Sequence, residues 1–252
     1  MPKLAVLILT KNEEKNITDV INNAKECSDE IIVIDSGSTD RTVALAEMAG
    51  AHVYFRAWDN DFAAQRNFGL ESTNAEWILY LDADERLDIE AINNIKKVVK
   101  EGSLNSQYYI MRKSSAFGYS FNYGVLRPDK VSRLFPRDSV AWVNRVHERP
   151  ECDLPKKRLN GKMIHYTYRG WTQWLQKFEQ YTTIWANDAY KKGKRTSPFG
   201  ILNHAIFAFI QMAFFRLGLL DGFMGFVMCC NHFFYTMIKY LKLYELQRRE
   251  SK

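Results

Sequence analysis

The sequence WILYLDADE, residues Trp77–Glu85, passes from five apolar or aromatic residues directly into a cluster of carboxylates. A continuous run of this kind is typical of a parallel strand that is buried on both faces. In an open α/β sheet, ligands bind beyond the carboxyl ends of the strands. The acids that follow Leu81 therefore predict a functional site at the end of a central strand.

Asp82 and Asp84 allow two interpretations. The two carboxylates would repel each other unless a cation or a hydrogen-bond donor holds them, and Mg²⁺ or Mn²⁺ shared with substrate phosphates would do so. Alternatively, they precede a helix predicted over Ile89–Val99 and favour its dipole. The clustering of carboxylates at a strand end favours the metal site.

The residues on the amino-terminal side of this stretch alternate between strand and helix patterns. Apolar runs predict strands over Leu4–Leu9, Glu30–Ile34 and Ala51–Phe55. Helical spacing predicts helices over Glu13–Cys27, Thr39–Ala49 and Phe62–Glu71. In the second of these helices, Val43, Ala44 and Met48 are expected to share one side. The alternation predicts an α/β fold with a mostly parallel sheet and helices on both faces.

The pattern changes from about Gln107. Short strands are predicted over Tyr108–Arg112, Val131–Phe135 and Val140–Val143. An amphipathic helix is predicted over Trp171–Tyr190, and two strongly apolar helical stretches over Phe199–Phe215 and Leu217–Ile238. We therefore expect three parts, comprising residues 1–112, 113–170 and 171–252.

Polar residues also follow the first two predicted strands. They are Thr10-Lys11-Asn12-Glu13 and Asp35-Ser36-Gly37-Ser38-Thr39-Asp40. Neither segment contains a GxGxxG or a Walker lysine motif, which argues against a dinucleotide-binding or P-loop protein. Asp35 either accepts a hydrogen bond from a base or sugar, or belongs to a turn in which Ser38 or Thr39 caps the second helix. The residues alone leave both possibilities open.

The net charge of +6 is confined to one part of the chain. Residues 186–252 hold ten Lys or Arg against four Asp or Glu, which accounts for the whole excess. A nucleic-acid binder with a basic stripe across its main domain is therefore disfavoured. The four cysteines have neither CxxC spacing nor a paired pattern, and the first apolar stretch is too short for a signal peptide. A cytoplasmic location is expected.

Four linked motifs resemble glycosyltransferase family 2, which has the GT-A fold. They are Thr10–Glu14, Ile32–Thr42, Ala64–Asn67 and Leu79–Glu85, in the family's order across about residues 3–100. Arg133-Leu134-Phe135, Val146-His147-Glu148 and His165-Tyr166 extend the resemblance to the subgroup of lipopolysaccharide core β-1,4-glucosyltransferases. The resemblance implies a nucleotide-sugar-binding part over residues 1–112 and an acceptor-side part over 113–170.

The resemblance also implies roles for matching residues. The nucleotide of the donor would be bound by Thr10, Asn12, Glu13, Asp35 and Ser38. Arg66 would face the diphosphate, unless it is a solvated helix charge. Asp82 would approach the ribose or donor sugar and share with Asp84 a Mg²⁺ or Mn²⁺ ion. His165 could be a further metal ligand or a pyrophosphate contact, although a lone histidine that follows a strand is more often structural.

Inverting transfer needs a general base on the acceptor side, and Glu148 is the first candidate. It can accept a proton as the acceptor hydroxyl becomes acidic in the transition state. The alternative is an ion pair with Arg145 or Arg149. His147 is the second candidate for the base, because its ordinary pKa lies closer to neutrality. The aromatic segment Phe117–Gly124 could stack on an acceptor sugar or simply cover the sheet.

The carboxy-terminal stretch Phe199–Ile238 is apolar enough to raise the question of a membrane. Polar residues interrupt it, and these are costly in hydrocarbon unless partnered. We therefore expect a helical hairpin that lies on or dips into an anionic bilayer, with flanking Lys and Arg residues at the headgroups. A soluble lid or a dimer interface is the alternative.

Together these features predict an inverting, metal-dependent hexosyltransferase that uses a nucleotide sugar, expected to be a UDP-hexose. The acceptor would be a glycolipid or oligosaccharide of the lipopolysaccharide core, and the enzyme would be peripheral to the inner face of the cytoplasmic membrane. A nucleotidyltransferase is disfavoured by the lack of a Gly-rich basic loop. A non-catalytic membrane-peripheral protein on a degenerate transferase fold is disfavoured by the presence of Asp35, Asp84 and Glu148.

Overall fold

The computed structural model describes residues 3–145 and 148–250, with the side chain of the last residue excepted. His147, the second candidate for the base, lies outside the described residues. The chain divides into two compact units. The first comprises Met1–Arg112 and Asp129–His165, and the second comprises Lys113–Pro128 and Tyr166–Lys252.

The amino-terminal half of the first unit alternates strands and helices, as predicted. The strands are β1 (Leu4–Thr10), β2 (Glu30–Asp35), β3 (His52–Phe55) and β4 (Trp77–Asp82). The intervening helices are α1 (Ile17–Lys25), α2 (Thr42–Met48) and α3 (Phe62–Glu71). The strands are parallel and lie in the order β3-β2-β1-β4. All four carboxyl ends therefore lie along one edge.

Successive residues of the central strands pack on opposite faces of the sheet. Val6 and Ile8 of β1 pack with α1, whereas Leu7 packs on the other face with Ala63 of α3. Full burial of one such aliphatic side chain contributes about 1.5–3 kcal/mol. Strands buried on both faces explain the continuous apolar runs in the sequence.

Helix α2 corrects one sequence prediction. Met48 is 84% exposed, and α2 instead buries Thr42 and Ala46. The helix begins at Thr42 rather than Thr39, because residues 36–41 are used in a loop beyond β2. Thr42 and Ala46 are four residues apart and therefore share the buried side of the helix.

The second half of the sheet is antiparallel, which corrects the expectation of a mostly parallel sheet. β5 (Glu85–Leu87) and helix α4 (Ile89–Glu101) are followed by β6 (Gln107–Ala116), β7 (Tyr119–Ser120), β8 (Asp129–Pro136) and β11 (Lys156–Tyr168). β8 pairs antiparallel with β4 and β6, and β11 pairs antiparallel with β5. The sheet is mixed because β6, β7 and β8 follow one another without crossover helices. β9 (Ala141–Val143) and β10 (Arg149–Glu151) form a separate pair.

Three long helices dominate the second unit. They are α5 (Trp171–Lys191), α6 (Pro198–Ile210) and α7 (Gly222–Glu250). Phe209 and Met212 at the end of the α6 stretch pack with Cys229 of α7, while Ile201 packs with Tyr240 and Leu243. α6 and α7 therefore form an antiparallel hairpin. The tight turn needs glycine, since a Cβ on Gly225 would lie 2.1 Å from the Gly218 carbonyl oxygen.

The aromatic segment before residue 125 is partly used in packing. The ring of Phe117 stacks on Trp171 at 4.0 Å between centroids, and Phe121 is buried. Tyr119 and Tyr123 remain exposed. The covering role therefore holds for the two phenylalanines, whereas a role for the two tyrosines in acceptor binding stays a prediction.

Candidate active site

The strand register brings the predicted site residues together at the carboxyl edge. Thr10 of β1 pairs with Asp35 of β2, and Leu9 pairs with Asp82 of β4. The polar segments that follow these three strands are therefore neighbours. The sequence predicted this grouping correctly from the carboxyl-end rule alone.

Hydrogen bonds connect the loop after β1 to the loop after β2. The backbone N–H of Asn12 donates to Ser38 Oγ at 2.9 Å, and Asn12 Oδ1 accepts from the N–H of Thr39 at 2.8 Å. The N–H of Glu13 donates to Thr42 Oγ1 at 2.8 Å. Asn12 adopts the left-handed conformation, with φ of 56°, which asparagine tolerates better than most residues. The two loops thus form one connected surface.

Asp35 organises its own loop. Its buried carboxylate accepts hydrogen bonds from the N–H of Gly37 at 2.9 Å and from the N–H of Ser38 at 3.0 Å. The turn interpretation of Asp35 therefore holds, but Ser38 and Thr39 do not cap the second helix, because α2 begins at Thr42 with Arg41 in the capping position. A contact from Asp35 to a nucleotide would be additional. Thr10, in the neighbouring strand, is buried, and its Oγ1 has no hydrogen-bond partner among the described residues.

Two arginines hold both oxygens of Asp82. Arg66 Nη2 lies 3.0 Å from Oδ1, and Arg133 Nη2 lies 2.8 Å from Oδ2. Burial alone would raise the pKa of the Asp82 carboxyl, but the charges of Arg133 and Arg66 outweigh it, so the pKa lies well below its usual range. Asp82 is therefore an anion at neutral pH, and a metal bound to either oxygen would share that oxygen with an arginine.

Arg66 is a buried guanidinium. It is only 5% exposed, which excludes the interpretation as a solvated helix charge. The guanidinium carbon lies 4.5 Å from the centroid of the Trp142 ring. Nε and Nη1 have no hydrogen-bond partner among the described residues. Arg66 thus retains donors that an anionic ligand could use.

The side chains of Asp84 and His165 lie close together, as two ligands of one metal ion would. His165 Nε2 lies 3.3 Å from Asp84 Oδ2. No cluster of three metal-binding side chains occurs within residues 3–145 and 148–250. Mg²⁺ is often bound by one or two carboxylates with substrate phosphates and water completing its shell. The Asp84 oxygen fits such an incomplete site, whereas the His165 nitrogen is a donor that suits a transition metal better than Mg²⁺.

Glu148 contacts the same guanidinium nitrogen of Arg66 that contacts Asp82. Its Oε1 is 3.4 Å from Arg66 Nη2, and its side chain is 20% exposed. The alternative ion pairs are made with other residues, since Arg145 pairs with Asp61 and Arg149 pairs with Glu151. Glu148 is therefore tied to the predicted donor site through Arg66.

A cavity of about 1110 Å³ opens beside these residues. Its lining includes Arg66, Asp82, Arg133, Trp142 and Glu148. The volume lies slightly above the range of about 300–1,000 Å³ that is usual for small-molecule sites. Donors and carboxylates therefore line a space large enough for a substrate.

Glu85, Arg112 and Arg133 form an ion-pair network that reaches the candidate residue Asp82, but they were not predicted as site residues. Glu85 is fully buried, and its Oε1 accepts from Arg133 Nη2 at 2.6 Å and from Arg112 Nη1 at 3.3 Å. The signal was present, because Glu85 closes the Asp82–Glu85 motif and Arg133 begins a motif used in the resemblance. Their pairing depends on β8 lying beside β4, which local pattern could not reveal.

The similarity to known proteins agrees with this geometry. The family model described as Glycosyl transferase family 2 matches residues 5–128. An uncharacterized glycosyltransferase of Rickettsia felis is 31% identical over 100% of this chain and 91% of its own length. The chain belongs to glycosyl transferase family 2. Its α/β sheet with flanking helices is accordingly the GT-A fold predicted from the sequence, accompanied by a carboxy-terminal helical region.

Two further proteins extend the comparison. The lipopolysaccharide core biosynthesis glycosyltransferase LpsC of Rhizobium meliloti is 27% identical, over 97% of this chain and 94% of its own. A solved structure of glucosyl-3-phosphoglycerate synthase from Mycobacterium tuberculosis contains Mn²⁺, uridine diphosphate and phosphoglyceric acid. It is 17% identical to this chain, with a TM-score of 0.46. The match covers 78% of this chain and 80% of that one. In this family 2 chain, Arg133, Glu148 and His165 lie beyond the residues that the family model matches.

Proposed function

We propose that this family 2 member is an inverting glycosyltransferase that moves a hexose from a nucleotide sugar, a UDP-hexose, to a membrane glycolipid of the lipopolysaccharide core. The observation that carries the proposal is the placement of Arg66 between Asp82 and Glu148. Buried donors for an anionic leaving group and a candidate base thereby face one cavity. The likeness to LpsC supports the choice of acceptor.

The nucleotide would lie on the connected surface formed by Thr10, Asn12, Glu13, Asp35 and Ser38. The hydrogen bonds between the two loops keep that surface in one arrangement before the donor binds, which lowers the entropic cost of binding. The free Nε and Nη1 of Arg66 would donate to the diphosphate. The donor would thus extend from the loops after β1 and β2 towards the end of β4.

Asp84 and His165 would hold the Mg²⁺ or Mn²⁺ ion, with Asp82 assigned to the donor sugar or ribose. A divalent ion at this position would supply charge neutralisation of the nucleoside diphosphate leaving group. The 3.3 Å separation of Nε2 and Oδ2 supports the pairing of these two ligands. Asp82, fixed by two arginines, would orient the sugar rather than bind the ion.

Glu148 would act as the general base. As the acceptor oxygen attacks the anomeric carbon, the bond from that carbon to the diphosphate oxygen breaks and the hydroxyl proton passes to a Glu148 oxygen. Attack from the face opposite the leaving group inverts the anomeric configuration. The position of Glu148 beside Arg66, and its partial exposure to the cavity, support this role.

The helical hairpin would hold the enzyme at the inner face of the cytoplasmic membrane. Within the described residues, one helical stretch, Pro198–Phe215, is long and apolar enough to cross a bilayer, with a mean hydropathy of 1.5 over 18 residues. The turn between α6 and α7 exposes large apolar side chains, among them Phe215 and Phe223 at 77% each. Exposed cations occur at the other end of the hairpin, namely Lys191, Lys192, Lys194, Arg195, Arg248 and Arg249.

This division favours a hairpin whose apolar turn enters the bilayer while its basic end meets anionic headgroups. A lid or a dimer interface would need no such separation of charge from apolar surface. The membrane would also concentrate the enzyme where a glycolipid acceptor is found. A cytoplasmic location follows from the supply of nucleotide sugars.

The proposal is tested by incubating the full chain with a panel of UDP-hexoses and MnCl₂, with and without a lipopolysaccharide core acceptor. The expected product is UDP, released faster with acceptor, and Asp84→Asn is expected to lower the rate at least about 100-fold. Release of inorganic pyrophosphate would point instead to a nucleotidyltransferase. A wild-type chain that binds no nucleotide sugar in the panel would contradict the proposal.

A further inference from the structure

Glu85 is a fully buried carboxylate that makes no direct contribution to the roles assigned above. Its Oε1 accepts hydrogen bonds from Arg133 Nη2 at 2.6 Å and Arg112 Nη1 at 3.3 Å, and its Oε2 accepts from the backbone N–H of Asp82 at 3.0 Å. Both carboxylate oxygens are therefore committed. A buried charge held on both oxygens is fixed in one orientation.

Arg133 transmits this orientation to the side chain of Asp82. The same Nη2 that donates to Glu85 lies 2.8 Å from Asp82 Oδ2. Arg133 is itself buried, at 5% exposure. Its guanidinium therefore has little access to water that could replace these carboxylate partners. Glu85 thus fixes Asp82 twice, through the backbone N–H and through the arginine.

Glu85 is also adjacent to both proposed metal ligands, Asp84 and His165. It is the first residue of β5 and directly follows Asp84 in the chain. In the antiparallel pairing of β5 with β11, Glu85 stands opposite His165. A shift of Glu85 would therefore displace Asp84, which must keep its 3.3 Å approach to the imidazole.

We propose that Glu85, acting with Arg133, is a positioning residue that sets the orientation of Asp82 and Asp84 for the donor without touching the donor itself. The inference rests on the proposed function. A displacement of about 1 Å in a group that positions a substrate can slow a reaction about 100-fold, and supporting residues prevent such displacements. A buried ion pair is poor evidence for stability, since neutral residues of similar size often serve a fold as well. The charges are thus better explained by positioning.

The experiment compares Glu85→Gln, Glu85→Asp and the double variant Glu85→Gln/Arg133→Gln in the full chain. Glu30→Gln is the matched control, because Glu30 also accepts a hydrogen bond, from Thr73 Oγ1 at 2.6 Å, but starts β2 at the edge away from the site. Each variant is measured for Tm, for binding of UDP with MnCl₂ by calorimetry, and for kcat and KM with the UDP-hexose that the wild type uses.

In Glu85→Gln we expect UDP binding with MnCl₂ to weaken about 10-fold and kcat to fall about 10- to 100-fold, the range typical of residues that orient ligands. Glu85→Asp keeps the charge at a shorter reach and should lose less. Glu30→Gln should bind and turn over like the wild type. In the double variant, which leaves no lone buried charge at positions 85 and 133, Tm should recover relative to Glu85→Gln while binding and kcat should not.

Recovery of binding and kcat together with Tm in the double variant would overturn the inference and make Glu85 a structural residue. Wild-type kinetics in Glu85→Gln would overturn it as well. A wild-type chain that binds no UDP-hexose is a different result, because it removes the proposed function and this inference with it.

Discussion

Arg66 is the residue at which the two halves of the proposed reaction meet. Its Nη2 contacts Asp82 on the donor side and Glu148 on the acceptor side, and its guanidinium stacks over Trp142. Stacking, a planar fork and two carboxylate partners are properties that a lysine cannot reproduce together. The planar shape of the guanidinium, and not only its charge, is therefore expected to matter for the function of Arg66.

Arg66→Lys is therefore expected to raise the donor KM and to lower kcat at least about 10-fold. An ammonium keeps the charge and could contact both carboxylates from one nitrogen, but it lacks the planar face that lies over the Trp142 ring and the further N–H donors of the guanidinium. Steady-state kinetics with a UDP-hexose measures the effect. Arg41→Lys is the control, because Arg41 is exposed at the start of α2. Equal kinetics for Arg66→Lys and the wild type would refute a role for the fork.

Asp82 makes a prediction about stability and pH. The arginines lower the pKa of its carboxyl in the folded chain, so its stabilising contribution is complete above the unfolded pKa of about 3.9 and is lost as pH falls towards the folded pKa. Asp82→Asn should therefore be destabilised by a constant amount between pH 7 and 5. Below about pH 3.9 the difference from wild type should shrink by up to about 1.4 kcal/mol per pH unit.

Urea unfolding of both proteins from pH 7 down to pH 2 checks this expectation. Asp19→Asn provides the control, because Asp19 is largely exposed on α1 and surface ion pairs contribute little to stability. A difference between wild type and Asp82→Asn that stays constant through pH 2 would show that the two arginines do not hold the Asp82 carboxylate in its charged form.

At the level of elements, the pairing of β5 with β11 depends on one glycine. Gly161 has φ of +87°, and a Cβ there would lie 2.2 Å from the backbone nitrogen of Ala91 in α4. Asp88, which caps α4 through the N–H of Ala91, also accepts from the N–H of Lys162. The close approach of β11 to α4 therefore helps to fix the register that brings His165 opposite Glu85.

Gly161→Ala is expected to lower the free energy of unfolding by more than about 2 kcal/mol, because the new methyl group adds a clash with backbone to an unfavourable φ. Gly118→Ala isolates the conformational part, since φ there is +79° and nothing lies within 4 Å of the added Cβ. It should cost about 1 kcal/mol. Equal losses in the two variants, measured by chemical denaturation, would rule out the close approach.

The elements also show which parts of the structure the sequence could predict. α3 was predicted with both ends correct, and β1 to β4 were found to within one residue at each end, because strands buried on both faces leave continuous apolar runs. The predicted start of α2 was wrong, because hydrogen bonds to the loop after β1 hold residues 38–42. Such long-range bonds leave no periodic signal in the sequence.

The site was predictable to the extent that it follows strand ends. Thr10, Asp35 and Asp82 were found because the carboxyl edge of a parallel sheet gathers polar residues. Glu85 and Arg133 were missed as a pair because β8 contacts β4 in an antiparallel arrangement that alternation of strands and helices does not predict. Glu148 was proposed from a resemblance, and its contact with Arg66 depends on chain folding over 82 residues.

For the molecule as a whole, the excess positive charge and the exposed apolar turn both lie in the second unit. The excess positive charge lies in residues 186–252, whereas the predicted donor site lies in the first unit. The hairpin of the second unit exposes apolar side chains at its turn and cations at its opposite end. The proposed membrane contact and the proposed donor site can therefore be altered separately by mutation.

Phe215→Ser with Phe223→Ser is expected to reduce binding to phosphatidylglycerol vesicles about 10-fold or more, since each exposed phenylalanine would lose its transfer into the bilayer. UDP binding should stay unchanged, because both side chains belong to the second unit. Met48→Ser is the control: Met48 is 84% exposed but lies on α2 of the first unit.

Co-sedimentation in 0.1 M and 0.5 M NaCl separates the contribution of the cations from that of the apolar turn, because salt screens the cations but leaves apolar insertion in place. Unchanged vesicle binding in the double variant, together with a concentration-dependent mass in light scattering that the variant loses, would assign the apolar turn to a dimer interface instead.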